Sequence, residues 1–356
     1  MRILVVDDSV VFRSQIRAAL DGQPGIEVVG AANNGKIALQ KLAQGSVDLI
    51  TLDMEMPEMG GIETIQEIKK AKFPVRIIVF SSHTARGCEA ALNALVAGAD
   101  DVVAKPAGTD INIENVADLI KAQLLPKVLQ FLPRQGGGSA QSSPALSNPI
   151  VKPVAPQTFS KRDLETFHPS VIVIGSSTGG PPALERVLSD LSLPFRIPII
   201  IAQHMPPIFT ASLAKRLSES SGIPAAEAVD GEELLPNRIY VAPGDFHLGV
   251  YKRGDKIVLG LDQNPQRNSV RPAVDVLFET AAEVFTFRTM SFVLTGMGED
   301  GLVGAKRIKE KGGGVMIQDK ASSVVFGMPG AIHAAGIYDG IGGLSDVNQL
   351  IKKMGS

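Results

Sequence analysis

Ser177, His204 and Asp300 supply a hydroxyl, an imidazole and a carboxylate, and each comes shortly after a run rich in β-branched residues. A second group has the same habit. Asp7 and Asp8 follow residues 3–6, Asp53 follows 49–52, Ser81 follows 77–80, and Lys105 follows 102–103. Such runs read as strands. In open parallel sheets, ligands collect in the crevice beyond the carboxyl ends of the strands. Two reaction sites are therefore expected, one on each of two sheet edges.

The chemistry of the earlier group follows from its charges. Three carboxylates brought to one sheet edge repel and raise one another's pKa. A hard divalent cation with oxygen ligands relieves that conflict, and few protein ligands with several waters suit Mg2+ better than Ca2+. A cation and a lysine ammonium facing one free carboxylate are what a transferring phosphoryl group needs. Asp53, alone at its strand end, is the expected nucleophile, and Asp7 and Asp8 are better placed as metal holders. Taken singly, paired aspartates after a strand more often cap a helix, and a lone lysine is more often solvated. The set, with each member behind its own strand, is far more specific.

The later group sits in a different local pattern. Residues 171–180 read VIVIGSSTGG and are followed by Pro181-Pro182, so Gly175, Ser177 and Gly179 match G-x-S-x-G between a strand and a helix. The flanking glycines allow a sharp turn, and Pro182 suits a first helical turn. The helix N-terminus favours a developing oxyanion, and the turn geometry nominates the Thr178 amide as a donor. His204, in QHMPP, is the candidate base, and Asp300, in TGMGEDG, the acid that would orient it. The order Ser, His, Asp differs from the Ser, Asp, His of α/β-hydrolases. Each has a blander reading alone: a phosphate-binding turn, a structural histidine, an N-cap for the helix from residue 302. None of these explains the three together. His83, His168, His247 and His333 lack so clean a strand-end motif. Cys88 reads as half-buried packing, and Arg267 and Arg271 as solvated loop residues.

The elements that must hold these residues can be read around them. A chain of 356 residues exceeds one ordinary core, which predicts two domains. Over 1–131, five apolar runs alternate with amphipathic stretches at 11–20, 36–43 and 62–70, which implies a parallel sheet covered on both faces. Residues 132–168 carry Gly136-Gly137-Gly138 and five prolines with many serines, and read as a flexible linker. From 169 to 356 the alternation resumes. Strands are predicted at 171–174, 197–202, 291–294 and 315–317, with helices at 182–191, 209–218, 275–284 and 302–311. Residues 238–262, with turns at Pro243-Gly244-Asp245 and Arg253-Gly254-Asp255, read as a β-hairpin insert.

Composition bounds the function. Lys plus Arg number 35 against 37 for Asp plus Glu, and residues 169–356 hold 18 against 19. No field is available to grip a nucleic-acid backbone or an anionic membrane. No apolar run is long enough to span a bilayer, and the N-terminus lacks a secretory pattern. One cysteine excludes an internal disulfide and a Cys-rich zinc site. A cytoplasmic protein, neither membrane-inserted nor bound to nucleic acid, is expected.

The motifs LVVDDS, LDMEMPEMGG, VFSS and VVAKP resemble those of bacterial response-regulator receiver domains over about 1–125. The motifs IGSSTGGPPAL, IAQHMPP, VAPGDFHL, RPAVDVLFETAA, LTGMGEDG and FGMPGAI resemble the catalytic domain of the chemotaxis protein-glutamate methylesterases over nearly all of 170–350. The first resemblance implies a phosphoryl group on Asp53, delivered by a chemotaxis histidine kinase. It implies Mg2+ held by Asp8, Asp53 and the Glu55 carbonyl, with Asp7 on a coordinated water. Ser81 is the implied switch hydroxyl and Lys105 the phosphoryl partner. Val102 stands where many receivers carry a switching aromatic, which leaves the route of coupling open. The second resemblance implies a Ser177–His204–Asp300 triad with the Met297 and Gly298 amides as oxyanion donors. The implied substrate is methylated glutamate on the cytoplasmic domains of chemoreceptors, with glutamine deamidation as a second activity and no cofactor for the ester reaction. The expected fold is therefore α/β: a flavodoxin-like five-stranded receiver, then a linker, then a doubly wound, mostly parallel hydrolase domain with a small hairpin extension. The rival functions are a receiver-controlled esterase or amidase on another protein, a non-catalytic adaptor and a DNA-binding regulator.

Overall fold

The computed structural model describes residues 1–106, 115–132, 162–191 and 194–355. The first region runs β1 (Arg2–Val6), α1 (Val10–Leu20), β2 (Glu27–Ala32), α2 (Gly35–Gln44), β3 (Leu49–Asp53), α3 (Gly61–Lys70), β4 (Arg76–Ser81), α4 (Ala85–Ala97), β5 (Asp101–Ala104) and α5 (Val116–Leu129). Its sheet has the order β2-β1-β3-β4-β5, all parallel. Strands buried on both faces need near-continuous apolar runs, and β1, β3 and β4 have them. Short polar residues start the helices: Ser9 caps α1, Asn34 caps α2 and Thr84 caps α4, each through its side chain. Ser9, not Asp7 or Asp8, is the α1 cap, so the paired aspartates are left for other work.

The second region runs β6 (Val171–Ser176), α6 (Gly180–Val187), β7 (Ile199–Gln203), α7 (Pro207–Ser221), β8 (Ala225–Glu227), β9 (Ile239–Val241), β10 (His247–Arg253), β11 (Lys256–Asp262), α8 (Val274–Phe285), β12 (Thr289–Val293), α9 (Leu302–Glu310), β13 (Gly314–Gln318), α10 (Met328–Ala335), β14 (Gly340–Gly342) and α11 (Leu344–Gly355). Seven strands pair in parallel in the order β14-β13-β12-β6-β7-β9-β8. The chain leaves β6 toward β7, β9 and β8, then returns to its other side at β12. The order reverses beside β6, and that is where such sheets bind ligands.

Two expectations need correction. The hairpin is only β10–β11, paired antiparallel from His247↔Asp262 to Arg253↔Lys256. Residues 239–241, read as part of it, are fully buried and join the main sheet beside β7. The predicted linker lies mostly outside the described residues, but 162–168 is anchored. The Arg162 amide donates to Asp339, the Arg162 guanidinium lies over the Phe167 ring, and Phe167 is buried. β8, β9 and β14, with three residues each, are too short to show a period in sequence.

The two regions pack together. One apolar cluster runs without a break from Leu95 of α4 and Val102 of β5 to Leu184 of α6, Met205 and Leu213 of α7. At its edge Arg216 donates to Asn93 while pairing with Glu185.

Candidate active site and phosphoacceptor site

At the first sheet edge, Asp7, Asp8 and Asp53 bring carboxylate oxygens within 4.8 Å of one another. Lys105 Nζ lies 2.8 Å from Asp53 Oδ2 and 3.0 Å from Asp7 Oδ2. Burial pushes Asp53 up to about 6, even though Lys105 pulls it down. Burial also works against the Lys105 ammonium, but bonds and charges from Asp53 and Asp7 outweigh it, and its pKa is raised. An all-oxygen donor set with more negative charge than one lysine can balance fits a hard cation. Asp8, Asp53, Glu55, Ser81 and Lys105 line one cavity of about 250 Å³. The Ser81 hydroxyl donates to the Gly87 carbonyl at 2.6 Å and so turns toward α4.

At the second edge, β6 ends at Ser176 and the chain turns at Ser177. The left-handed residue of the turn is Gly179 (φ 76°), not the serine. A Cβ at Gly179 would also strike Val324, so this glycine is required twice over. The Ser177 amide donates to Thr295 O, while Thr295 Oγ1 donates to Thr178 O, so the turn is tied to the loop after β12. Buried Gln203, at the end of β7, receives a bond from Ser176 Oγ and donates to the carbonyls of Ser177 and His204. The serine and histidine strands are thus held at a fixed spacing.

His204 Nε2 meets Asp300 Oδ2 at 2.8 Å. That contact leaves Nδ1 as the ring nitrogen free to serve a hydroxyl. No hydrogen bond joins Ser177 Oγ to the ring in this structure, although both line the same cavity, of about 520 Å³. Such bonds often tighten only when substrate arrives. Asp300 is 2% exposed, and its carboxylate accepts from the amides of Val274 (2.6 Å) and Asp275 (3.1 Å), the first residues of α8. It therefore caps α8, not the helix at 302 as its neighbourhood in sequence suggested. Burial opposes its charge, but His204 and these amides outweigh that, and the carboxyl stays below its ordinary value. Asp275 returns the favour by accepting from the amides of Gly301 and Gly304 at the start of α9.

The Met297 and Gly298 amides face no protein acceptor among the described residues, and neither does that of Thr178; all three residues line the cavity with Ser177. The cavity is also lined from α5, through Ala122, Gln123, Pro126 and Lys127, and by Gln130 just beyond it. Asp101 of β5 accepts from Thr178 Oγ1, next to Ser177, and from Lys127 Nζ at 2.6 Å.

Gln203, Asn268, Asp275 and Thr295 were missed in the sequence. Gln203 had a signal, since a polar residue that ends a buried apolar run must find partners. Other readings are settled simply. His247 is buried, accepts from the Ala273 amide at Nδ1 and meets Pro265 O at Nε2, a structural role. Cys88 is fully buried, not half-buried. Arg267 pairs with Glu279 and Arg271 with Asp245, so neither is a merely solvated loop residue.

Residues 172–351 match the family model for the CheB methylesterase, and residues 3–117 match that for the response regulator receiver domain. The chain belongs to the CheB methylesterase family. The chain is 41% identical over 357 residues to a protein-glutamate methylesterase/protein-glutamine glutaminase of Trichodesmium erythraeum, covering 99% of both chains. A relative of the same name from Thermotoga maritima is 40% identical, with 95% of this chain and 94% of that one covered. The crystal structure of the Thermotoga maritima CheB methylesterase catalytic domain matches with a TM-score of 0.51 at 43% identity, covering 52% of this chain and 98% of that one. The α/β fold class and the resemblance read from the motifs are borne out: the protein is a receiver-linked member of an enzyme family of methylesterases.

Proposed function

We propose that this protein hydrolyses glutamyl methyl esters on chemoreceptor cytoplasmic domains, through Ser177, under control of a phosphoryl group on Asp53. The observation that carries the reading is the 2.8 Å His204–Asp300 bond on the wall of the cavity that holds Ser177. A neutral imidazole held by an ionised carboxylate is the general base a serine requires.

The cycle balances as follows. Ser177 Oγ attacks the glutamyl carbonyl carbon while His204 takes the hydroxyl proton. Asp300 orients the ring and stabilises its cation. The Met297 and Gly298 amides, with Thr178 as the alternative donor, face the oxyanion. The C–O bond to methoxide breaks as His204 returns the proton, and methanol leaves. Water then attacks the acyl-serine, again giving its proton to His204, and free glutamate and serine are restored. An amide substrate follows the same course with ammonia as the leaving group, in line with the glutaminase in the relatives' names.

In the receiver, Asp53 is the nucleophile toward a phosphoryl group from a histidine kinase. Asp8, Asp53 and the Glu55 carbonyl would hold Mg2+, with Asp7 on a coordinated water; bound there, the ion neutralises phosphoryl charge. Lys105 stays beside Asp53 to pair with the phosphoryl oxygens, and Ser81 leaves Gly87 to follow them. Control acts on access. The α5 wall and the Asp101–Thr178 contact cover the cleft while the His204–Asp300 pair remains assembled beneath them. Val102 lies in the apolar contact itself, so coupling needs no aromatic relay. A cytoplasmic location suits these partners, and no described helix is long and apolar enough to cross a membrane.

The test is methanol release from methylated receptor, with and without a small-molecule phosphodonor plus Mg2+. Turnover should rise with the donor and vanish in Ser177→Ala. A 165–356 fragment no faster than the unphosphorylated full chain would overturn control by cover.

A further inference from the structure

The cap exchange around Asp300 contains one side chain that no step above uses. Asn268 Nδ2 donates to Asp300 Oδ1 at 2.8 Å and to Asp275 Oδ2 at 2.9 Å. A side-chain amide has two N–H bonds, and this geometry uses both. Asn268 stands at φ 54° and Ser269 at φ 62°, the left-handed region, which asparagine enters more readily than most residues and serine seldom does. The surroundings hold the turn in place. Arg267 and Val270 exchange backbone hydrogen bonds, and the Arg267 guanidinium grips Glu279 of α8 with two nitrogens. The loop is thereby clamped to the helix whose N-terminus holds Asp300.

We infer that Asn268 is a positioning residue for the hydrolytic reaction: its amide bridges Asp300 to Asp275 and fixes the plane in which Asp300 meets His204. The inference rests on the triad reading above. Its physical basis is the pairing of two buried carboxylates. Asp275 is held above the ordinary carboxyl range by burial and by the charge of Asp300. Arg267 Nε already lies 3.8 Å from Asp275 Oδ2; a further cation placed between the two carboxylates would quench the negative charge that the His204 cation needs during turnover. An apolar residue would leave the repulsion between the two carboxylates opposed only by the Val274, Asp275 and Gly301 amides on Asp300. A neutral amide avoids both outcomes.

The experiment uses full-length protein, activated by phosphodonor and Mg2+, with Asn268→Ala and the isosteric Asn268→Asp. Readouts are kcat and KM for methanol release, the pH profile of kcat/KM, and thermal unfolding. Asn268→Ala should lower kcat by about 10- to 100-fold with KM changed less than about twofold. Asn268→Asp should lower kcat as well. It adds a carboxylate to a setting of Asp300, Asp275 and Arg267, with Glu299 and Lys127 on the cavity wall, and so favours the His204 cation. The acidic limb of the profile should therefore move to higher pH in Asn268→Asp. Wild-type kcat in both variants overturns the inference. So does a loss that only tracks the folded fraction with an unmoved pH profile. Ser177→Ala run beside them separates the two claims: if it still turns over ester, the triad reading falls first; if it is dead while Asn268→Ala is not impaired, only the role of Asn268 falls.

Discussion

Asp53 and Asp300 are both buried carboxylates beyond parallel strands, yet Asp53 is pushed up to about 6 whereas Asp300 is held below its ordinary value. The difference lies in what surrounds them. Burial opposes the charge of both; at Asp53 it prevails, because the one lysine is shared with Asp7, whose charge adds to the effect. Asp300 is met by an imidazole, the Val274 and Asp275 amides that open α8, the Gly301 amide and a side-chain amide. A site left uncompensated responds strongly to a cation or a phosphoryl group. A site fully compensated has one arrangement and keeps it. On the proposed reading the first edge changes state and the second stays fixed, which places regulation in the cover and not in the His204–Asp300 pair.

The sharpest way to break this contrast is to strip chemistry from the fixed site and ask whether the variable one notices. Ser177→Ala should reduce ester turnover by at least about 10³-fold. Phosphorylation of Asp53, followed by a phosphodonor assay, should be unchanged. Asp300→Asn comes next, with an expected fall in kcat of about 10²- to 10⁴-fold. Because Asp300 also caps α8, Asp300→Ala should additionally cost about 1–2 kcal/mol in denaturant unfolding. A kcat loss without any stability loss in Asp300→Ala would deny the cap.

Much of both sites was legible because strand ends are legible. Continuous apolar runs gave β1, β3, β4, β6 and β7 in the sequence, and the residue after each run then falls on the reactive edge by topology alone. Asp53, Ser177 and His204 were nominated that way. What the sequence hid depends on tertiary meeting. Asp300 was nominated as the acid beside His204, but its bonds to the first residues of α8, 25 and 26 residues earlier in the chain, could not be read there. Asn268 sits in a polar loop whose composition says only that it turns. β9 was mistaken for a hairpin strand because three residues carry no period, and its partner β7 is remote in sequence.

At the variable site the expected effect is thermodynamic. Asp53 has its folded pKa raised to about 6 from 3.8. A raised carboxyl destabilises the fold where it is ionised, so the penalty is full above about pH 6 and vanishes as pH falls below the unfolded value. Asp53→Asn should therefore stabilise the Mg2+-free protein by about 1–2 kcal/mol at pH 7.5, by the shift discounted for losing one Lys105 partner. The gain should fade toward pH 4. Urea melts at the two pH values check it, and a gain that grows toward acid would reverse the sign of the argument.

The smallest effect tests the join between the two edges. Thr178 Oγ1 donates to Asp101, a carboxylate that also holds Lys127 of the α5 wall. Thr178→Val removes the hydroxyl and keeps both the branched shape and the backbone amide that faces the cavity. A hydrogen bond to a charged acceptor contributes about 1.5–3 kcal/mol, part of which water recovers when the cover lifts. Unphosphorylated Thr178→Val should accordingly release methanol about three- to tenfold faster than wild type. In the 165–356 fragment the receiver is absent, so the same substitution should leave the rate within about twofold. The ratio of the two changes is the decisive quantity. A rise in both proteins would mean that the threonine acts on the chemistry. A rise in neither would mean that the cover is held by the Leu95–Val102–Met205 apolar contact alone, with the polar contact adding nothing to it.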